Sequence, residues 1–349
     1  METYIGCDAH KRYSIFTSMT ERGQKGRPVR VEHTRAQYRA FLGDLPPGSP
    51  IAIETIGNWY WMVDEMERAG HVPKLAHAGK AKLMMGQINK TDKLDAAGLA
   101  MLLRNGTLPE VWIPPGDIRD QRELPRTRMS LVGVRTMLKN RIHATLAKYL
   151  IEIEASDVFG VKGREDLESR LGELPEYTRA SVVQELELLD EVEEQIKTSE
   201  ERIREVVSAT PEMELLRTIP GVGPILAVVI ALEIGDIGRF PAPENVASYA
   251  GTVPRVSASG DRMRFGKVRS DVNRYLKWAL VEAANVVVLN QRHWPDRHVV
   301  QLYQRLRERK GHGKAVVAVA RHMAEAVFWV LKKREVYKEP HRPVSSNQT

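Results

Sequence analysis

Residues 90–96 read Lys-Thr-Asp-Lys-Leu-Asp-Ala, and they lead into a run of good helix formers over 96–103. Side chains three residues apart lie on one face of a helix, so Asp92 and Asp95 are expected to point the same way. Two like charges held that close repel each other, and a bound divalent cation would offset the repulsion. The alternative is an exposed helix start, with Thr91 as N-cap and the acids favoured by the helix dipole.

The chain before this stretch alternates short strands with helices. The residue pattern predicts helices over 37–42 and 59–69, and strands over 4–8, 13–19, 29–32, 51–54 and 72–75. The polar turn at residues 9–12 makes the first two strands a predicted hairpin. Strands that alternate with helices indicate an α/β domain.

Two of the predicted strands end in an acid. Asp8 ends the first strand and Glu54 ends the fourth. Functional sites of open α/β sheets gather at the carboxyl ends of strands, so Asp8 and Glu54 are candidates to meet Asp92 and Asp95. Four converging carboxylates would suit Mg²⁺ or Mn²⁺, and two such ions could clamp the attacking and leaving oxygens of a phosphodiester. Each acid taken singly also fits a solvated strand end.

The bulk composition narrows the class of protein. The chain has 349 residues, a net charge of +7 and a pI of about 9.4, which permits a polyanionic partner. Cys7 is the only cysteine, so an intrachain disulfide and a cysteine-rich zinc site are excluded. We find no signal-peptide pattern and no apolar run long enough to span a bilayer. We therefore expect a cytoplasmic protein with no membrane association.

The middle of the chain is predicted to hold two helical stretches of opposite charge. Residues 124–149 are basic, whereas residues 182–207 carry nine acids and three bases. Both have apolar side chains at helical spacing. The basic stretch fits either a phosphate-facing helix or a solvated face opposite a core. The acidic stretch fits either a long hairpin with the basic one or a dimerising helix.

The C-terminal part contains two loops of interest. Residues 220–223 read Pro-Gly-Val-Gly before an apolar helix, which resembles the phosphate-contacting hairpin of helix-hairpin-helix proteins or is a tight turn onto a buried helix. Further on, a Ser-Gly pair at 259–260 lies in a segment with seven bases and two acids over 255–277. A hydroxyl beside such a cluster suits attack on a phosphate, although Ser-Gly is also an ordinary turn. The candidate nucleic-acid-binding residues are Arg255, Arg262, Arg264, Lys267, Arg269 and Arg274.

Three segments together resemble the acidic motifs of the Piv-type DEDD transposases and DNA invertases of insertion sequences. They are Tyr4-Ile5-Gly6-Cys7-Asp8, Ile53-Glu54-Thr55-Ile56-Gly57 and Lys90-Thr91-Asp92-Lys93-Leu94-Asp95-Ala96. Cys7 replaces the usual aliphatic residue, and Thr55-Ile56-Gly57 replaces the common Ala-Thr-Gly, but every acid is kept. The resemblance implies a junction-resolvase-like form of the ribonuclease-H fold. It also implies that Asp8, Glu54, Asp92 and Asp95 are catalytic and bind Mg²⁺ or Mn²⁺.

The C-terminal segment Ala250-Gly251-Thr252-Val253-Pro254, followed by Ser259-Gly260, is similar to the transposase domain of the same family. The resemblance implies that Ser259 is the catalytic serine, with Ser257 as its competitor. It further implies a covalent 5′-phosphoserine intermediate with DNA and a non-coding bridge RNA that pairs with donor and target DNA. Protomers are expected to form homodimers and homotetramers, in which the carboxylates of one subunit lie beside the serine of another.

These expectations divide the chain into four parts. Residues 1–115 form the ribonuclease-H-like α/β domain, 116–209 a helical coiled-coil linker, 210–338 a mainly α transposase domain, and 339–349 a disordered tail. The predicted function is that of a prokaryotic site-specific DNA recombinase that is nucleoid-associated when acting. The alternatives are a metal-dependent Holliday-junction resolvase or nuclease without serine chemistry, and a non-enzymatic nucleic-acid-binding protein. The chain lacks a P-loop, which argues against a nucleotide-driven motor.

Overall fold

The computed structural model describes most of the chain, with short gaps. It covers residues 3–55, 57–86, 92–207, 209–259, 262–268 and 271–340. For residues 92, 93, 256–259, 262 and 265 it describes the backbone alone. The chain forms two compact units, one ending at Gly116 and the other beginning at Asp117.

The first unit is built on a six-stranded sheet. Its strands are β1 (Thr3–Ala9), β2 (Tyr13–Thr20), β3 (Val29–Glu32), β4 (Pro50–Glu54), β5 (Val72–Ala76) and β6 (Glu110–Val111). The strand order is β3-β2-β1-β4-β5-β6. The first three strands are antiparallel neighbours, whereas β1, β4 and β5 run parallel to one another. The carboxyl ends of β1 and β4 therefore lie side by side.

Helices cover both faces of this sheet. They are α1 (Arg35–Gly43), α2 (Trp59–Arg68), α3 (Ala78–Met85) and α4 (Asp92–Arg104). Because side chains alternate across a strand, Ile51 and Ile53 of β4 join the core beneath α1 and α2, while Ala52 joins the core beneath α3 and α4. The small side chain of Ala52 suits close packing on the second face.

The predicted hairpin of the first two strands is present, with Asp8 opposite Ile15. The other strands predicted in this unit are also present, each within a residue or two of the expected bounds. The sequence reading missed α3 and β6. Helix α3 has eight residues and no marked apolar stripe, and β6 has two residues, too few to show alternation.

The second unit is mainly helical. Its helices are α5 (Gly116–Gln121), α6 (Glu123–Lys148), α7 (Val161–Arg170), α8 (Glu176–Val206), α9 (Pro211–Leu216), α10 (Pro224–Ile234), α11 (Pro243–Tyr249), α12 (Arg274–Leu289), α13 (His298–Lys310) and α14 (His312–Lys333). Short 3-10 helices lie at Leu171–Glu173 and Ile237–Arg239. One two-stranded hairpin interrupts the helices, with β7 (Pro254–Ser259) paired to β8 (Arg262–Val268).

The basic and acidic helices of the middle region pack against each other. Helices α6 and α8 share a core of apolar residues that includes Leu138, Ile142 and Leu189. Three ion pairs join the flanks of the two helices: Arg128–Glu200, Lys139–Glu193 and Arg141–Glu185. The residue numbers rise along α6 as they fall along α8, so the two helices are antiparallel. Of the two arrangements considered for the acidic stretch, the structure adopts the antiparallel hairpin. Three bases of α6, for which contact with phosphate was one of two interpretations, are paired with acids of α8.

The largest core lies under α9 to α14. Helix α12 and helix α14 supply fully buried small and medium side chains, among them Ala283, Val287, Ala320 and Val327. The segment after α14 lies against the same region, since Glu339 accepts a hydrogen bond from the backbone N–H of His298 at 3.0 Å. Residues 341–349, most of the predicted disordered tail, lie outside the described residues.

Within the part of the chain that the structure describes, no helix is both long and apolar enough to cross a lipid bilayer.

Candidate active site

Two acids of the first unit are aligned by strand pairing. Cys7 of β1 lies opposite Ile53 of β4 in the parallel register, so Asp8 and Glu54, the next residues, stand at the same level of neighbouring strands. The strand pairing alone therefore brings together two residues that are 46 positions apart in sequence.

A third acid is brought to the same place by a close contact between α4 and β1. An ideal Cβ at Gly6 would lie 1.9 Å from the backbone oxygen of Ala96 and 2.7 Å from the backbone nitrogen of Ala100. Only glycine permits this approach, because every other residue would put a side-chain carbon into the helix backbone. Ala96 and Ala100 are fully buried, and Asp95 precedes Ala96 on the helix. The missing side chain at Gly6 thus sets the distance at which α4 presents Asp95 to the sheet.

These three acids line one open cavity of about 360 Å³ at the carboxyl edge of the sheet. The remaining lining residues are His10, Ala78, Gly79, Lys82 and Met85. Asp92, the fourth predicted acid, is the first residue of α4, and its side chain lies outside the description. The structure therefore brings Asp8, Glu54 and Asp95 together, and it fixes the backbone position of Asp92 within the same helix.

His10 belongs to this cavity, although the sequence reading treated it as part of a polar turn. Its Nε2 atom lies 3.2 Å from Oδ2 of Asp8, with the two side chains 33% and 15% exposed. Its backbone carbonyl accepts a hydrogen bond from Asn58 Nδ2 at 3.2 Å. The signal was the two-residue spacing from Asp8, which places both side chains on one face of extended chain.

Lys82 is the second lining residue that sequence reasoning missed. It lies on α3, which was not predicted, so its neighbours could not be inferred. The side chain of His77 caps this helix by accepting a hydrogen bond from the backbone N–H of Lys80 at 3.3 Å. The cap places α3 directly after β5 and brings a cation to the rim of an acidic cavity.

Cys7, which precedes Asp8, is fully buried. Burial raises the pKa of its thiol to about 12, and the nearby charge of Asp8 acts in the same direction. The thiol is therefore neutral at physiological pH and is not available as a nucleophile or a soft metal ligand.

The donor set around the cavity consists of carboxylates, which are the ligands that Mg²⁺ and Mn²⁺ prefer. Among the side chains that the structure describes, no group of three or more His, Cys, Asp or Glu is close enough to surround one ion. Mg²⁺ keeps several of its waters and is commonly held by one or two carboxylates together with substrate phosphates. The cavity and its acids fit that mode of binding better than a closed protein cage.

The predicted serine lies on the β7–β8 hairpin of the second unit. Ser259 is the last residue of β7, and the register pairs it with Arg262, while Ser257 pairs with Arg264. The side chains of Ser257, Ser259 and Arg262 lie outside the description, as does Arg269. Of the other predicted nucleic-acid-binding residues, Arg255, Arg264, Lys267 and Arg274 are exposed.

The stem of this hairpin packs closely against the helices beside it. Gly251 has a φ of +65°, and an ideal Cβ there would lie 2.5 Å from Val272 Cγ2, so the position requires glycine. The buried hydroxyl of Thr252 donates to the carbonyl of Ala247 at 3.0 Å. The close packing of the stem contrasts with the exposed side chains further along the hairpin, such as Met263, which is 62% exposed.

The Pro-Gly-Val-Gly loop before α10 is shaped by packing. Gly221 has a φ of +82°, and an ideal Cβ there would lie 2.3 Å from the carbonyl oxygen of Ala283 on α12. The loop also lines an open surface cavity of about 560 Å³ beside Arg217 and Arg297. The tight turn onto a buried helix is therefore present, and its outer surface carries cations.

Two protein-family models match the chain. One, described as a transposase of the DEDD type of IS110 elements, matches residues 5–151, which include all four predicted acids. The other, described as the transposase IS116/IS110/IS902 family, matches residues 213–300, which include the β7–β8 hairpin.

Curated relatives match most of the chain. A probable family 20 transposase of Pseudomonas aeruginosa is 26% identical over 88% of this chain and 90% of its own length. The transposase for insertion sequence element IS1111A of Coxiella burnetii is 26% identical over 96% of this chain and 91% of its own. A pilin gene-inverting protein of Moraxella bovis is 23% identical over 82% of this chain and 81% of its own.

Proposed function

We propose, from the premise that this chain belongs to the IS110/IS116 family of DEDD transposases, that it is a site-specific recombinase of a mobile insertion element. The observation that carries the proposal is the meeting of Asp8, Glu54 and Asp95 at one cavity. These acids come from two strands and a helix spread over almost ninety residues of chain, and their side chains are suited to phosphoryl transfer.

We propose that Asp8, Glu54, Asp92 and Asp95 hold Mg²⁺ or Mn²⁺. A bound divalent ion would stabilise negative charge on the oxygens that attack and leave phosphorus. His10, 3.2 Å from Asp8, would keep that carboxylate oriented. Lys82 would contribute a positive charge at the rim, where a DNA phosphate enters.

The nucleophile in this proposal is the hydroxyl of Ser259. Its Oγ loses a proton and forms a bond to the scissile phosphorus, while the bond from phosphorus to the 3′ oxygen breaks and that oxygen takes up a proton. The products are a 5′-phosphoserine link and a free 3′ hydroxyl. Attack by the 3′ hydroxyl of another strand on this link restores a phosphodiester and frees the serine. Each step replaces one phosphate ester bond by another, so no nucleotide cofactor is needed.

The ribonuclease-H-like assignment is part of the same proposal. It is supported by the strand order β3-β2-β1-β4-β5, with three antiparallel strands followed by two parallel ones, and by acids at the carboxyl ends of β1 and β4. The bridge RNA, the coiled-coil function of the middle region and assembly into dimers and tetramers rest on the family resemblance. The exposed cations Arg255, Arg264, Lys267 and Arg274 are the proposed contacts to DNA or RNA phosphates, together with Arg262 and Arg269.

The proposal is tested with a DNA substrate that carries the element's junction and a nick that traps the cleaved intermediate. We expect a covalent protein–DNA adduct that requires Mg²⁺ and disappears in Ser259→Ala, while Ser257→Ala retains it. Asp8→Asn, Glu54→Gln and Asp95→Asn should each lower adduct formation by about a hundredfold or more, because each removes charge from the reacting centre.

The same experiment separates the alternatives. A metal-dependent resolvase or nuclease would still cut the DNA in Ser259→Ala and would never form the adduct. A binding protein with degenerate sites would cut nothing, whichever acid is replaced. Sequencing the nucleic acid that copurifies with the protein tests the guide: a single structured RNA from the same element supports the bridge RNA, and a random cellular mixture contradicts it.

A further inference from the structure

Glu233 is a buried carboxylate that the proposed chemistry does not use. It lies near the end of α10, in an otherwise apolar helix, and is 1% exposed. Removing a carboxylate from water is costly unless charges and hydrogen bonds compensate it, so the partners of Glu233 show what it holds together.

Three side chains converge on this carboxylate. Arg126 of α6 binds both oxygens, with Nε donating to Oε1 at 2.8 Å and a terminal nitrogen donating to Oε2 at 3.1 Å. Arg122, also buried, lies 3.6 Å away and donates to the carbonyls of Leu232 and Glu233. From the other side, Asn273 Nδ2 donates to Oε2 at 2.8 Å. Glu233 therefore connects α6 to the start of α12.

Asn273 is the residue at which the hairpin segment rejoins the helices. Its Oδ1 caps α12 by accepting from the backbone N–H groups of Tyr275 and Leu276. Its backbone N–H donates to the carbonyl of Tyr249 at 3.0 Å, and its Nδ2 also reaches the Tyr249 hydroxyl at 3.0 Å. Tyr249 ends α11, just before the segment that contains β7 and β8. Asn273 and Tyr249 thus join the two ends of the segment that contains β7 and β8.

The hairpin needs such a support, because an isolated two-stranded hairpin is marginally stable in water. Its own stem contacts, at Gly251 and Thr252, set how the chain leaves α11. Tyr249 and Asn273 bind each other at the two ends of the segment, and Asn273 is in turn bound by Glu233, whose carboxylate Arg126 holds.

We infer that Glu233 and Asn273 are positioning residues for the serine hairpin. They do not touch the DNA in this inference; they fix the stem of β7–β8 relative to α6 and α10, so that the hydroxyl at the end of β7 meets its phosphate in the correct orientation. The inference rests on the proposed function for the identity of the nucleophile.

The test uses Asn273→Ser, which keeps a side-chain oxygen to cap α12 and removes the amide donor to Glu233 and Tyr249. Asn290→Ser is the matched control, because Asn290 lies at the opposite end of α12, where its Nδ2 donates to the carbonyl of Val286 at 2.8 Å. We expect Asn273→Ser to slow adduct formation by about tenfold to a hundredfold, the cost of a reacting group displaced by about 1 Å. DNA affinity and the unfolding midpoint should stay close to those of the parent protein and of the control.

A second measurement reports the mobility of the hairpin directly. A spin label attached to Met263→Cys reports the mobility of the exposed part of the hairpin, and the buried neutral thiol of Cys7 will not compete for the reagent. We expect a more mobile label when Asn273→Ser or Tyr249→Phe is added, and no change with Asn290→Ser.

The outcomes distinguish a failure of this inference from a failure of the proposed function. If Ser259→Ala still forms the adduct, the proposed nucleophile is wrong, and the label alone decides whether the network orders the hairpin. If Ser259→Ala abolishes the adduct while Asn273→Ser changes neither its rate nor the label mobility, the positioning role is wrong. Equal losses in Asn273→Ser and Asn290→Ser would also overturn it, since they would reflect the general stability of α12.

Discussion

A single missing side chain determines how the acidic cavity is assembled. Gly6 lets α4 rest on the backbone of β1, and the acid that α4 carries reaches the cavity only because the helix comes that close. The glycine motif Tyr4-Ile5-Gly6-Cys7-Asp8 therefore has two physical functions: Asp8 supplies a carboxylate, and Gly6 admits the helix that supplies another.

We predict that Gly6→Ala destabilises the protein by about 1–3 kcal/mol, the usual cost of overpacking a core. It should also lower metal-dependent adduct formation by more than its effect on folding explains, because α4 must move away from β1. Urea unfolding and single-turnover assays measure the two effects. Gly43→Ala is the control, since nothing lies within 4 Å of its ideal Cβ at the exposed end of α1. Equal behaviour of the two variants would contradict the role assigned to Gly6.

Glu65 of α2 is a second residue with an unusual environment. Its side chain is 1% exposed, and it accepts hydrogen bonds from Arg35, Arg39 and Arg68. Chiefly through Arg39, these arginines lower the pKa of Glu65 from 4.5 to about 2, against the opposing effect of burial. The carboxylate is therefore ionised in the folded protein at pH values where it would be protonated in the unfolded chain.

The sign of the resulting pH dependence follows from linkage. Because the folded-state pKa is the lower one, the stabilisation is fully present above about pH 4.5 and is lost as the pH falls towards 2. We predict that Glu65→Gln lowers the free energy of unfolding by about 1–3 kcal/mol at neutral pH. In urea titrations between pH 5 and pH 2 (about the range where Glu titrates), the variant should lose less stability than the parent protein. Glu67→Gln, an exposed change in the same helix, should leave the pH dependence as it is.

At the scale of elements, the α6–α8 hairpin explains the charge inversion of the middle region. The acids of α8 face the bases of α6, so the two patterns that look opposed in sequence are complementary in space. Arg128 and Glu200 form the shortest of the three ion pairs, at 2.6 Å, with side chains that are 17% and 24% exposed. A partly buried pair of this kind is worth more than the usual surface pair.

We predict that Arg128→Glu and Glu200→Arg each destabilise the protein, and that the double reversal recovers about 0.5–1 kcal/mol of the loss. Thermal unfolding of the four proteins in the cycle gives the coupling energy. The exposed pair Lys197–Glu194, at 3.7 Å, provides the reference cycle and should show little coupling. A coupling that is absent from the Arg128 cycle would show that the flanks contribute nothing to helix pairing.

The elements also show how far sequence reasoning reaches. The strands β1 to β5 and the helices α1 and α2 follow from the residue pattern and the turn residues, because each pattern is local. The alignment of Asp8 with Glu54 could be expected, since parallel strands end at one edge. Lys82 could not be predicted, because α3 has no marked apolar stripe. Glu233 looked like one acid in an apolar helix, and nothing local in sequence identifies Arg126 and Asn273 as its partners.

At the scale of the whole molecule, the excess positive charge is unevenly distributed. The segment 255–277 has a net charge of +5, while the acidic stretch 182–207 has a net charge of −6. Binding to nucleic acid should therefore depend on the hairpin and its surroundings, and the acidic face of α8 should take no part.

We predict that Arg264→Ala weakens DNA binding and reduces the slope of log K against log salt concentration by about 1, the value for one phosphate contact. Fluorescence anisotropy with labelled DNA over a salt series measures the slope. Arg179→Ala removes the same charge from an exposed position on α8 and should leave the slope unchanged. A slope that falls equally in both variants would mean that net charge alone governs the binding.

The close packing of α4 on Gly6 also determines when the N-terminal unit can fold during synthesis. The partner of the first strand is a helix that leaves the ribosome some ninety residues later, so the cavity cannot exist on a shorter nascent chain. Closing so long a loop is slow compared with local pairing. The acidic cavity, and any chemistry at its carboxylates, therefore requires synthesis of the N-terminal unit at least through α4.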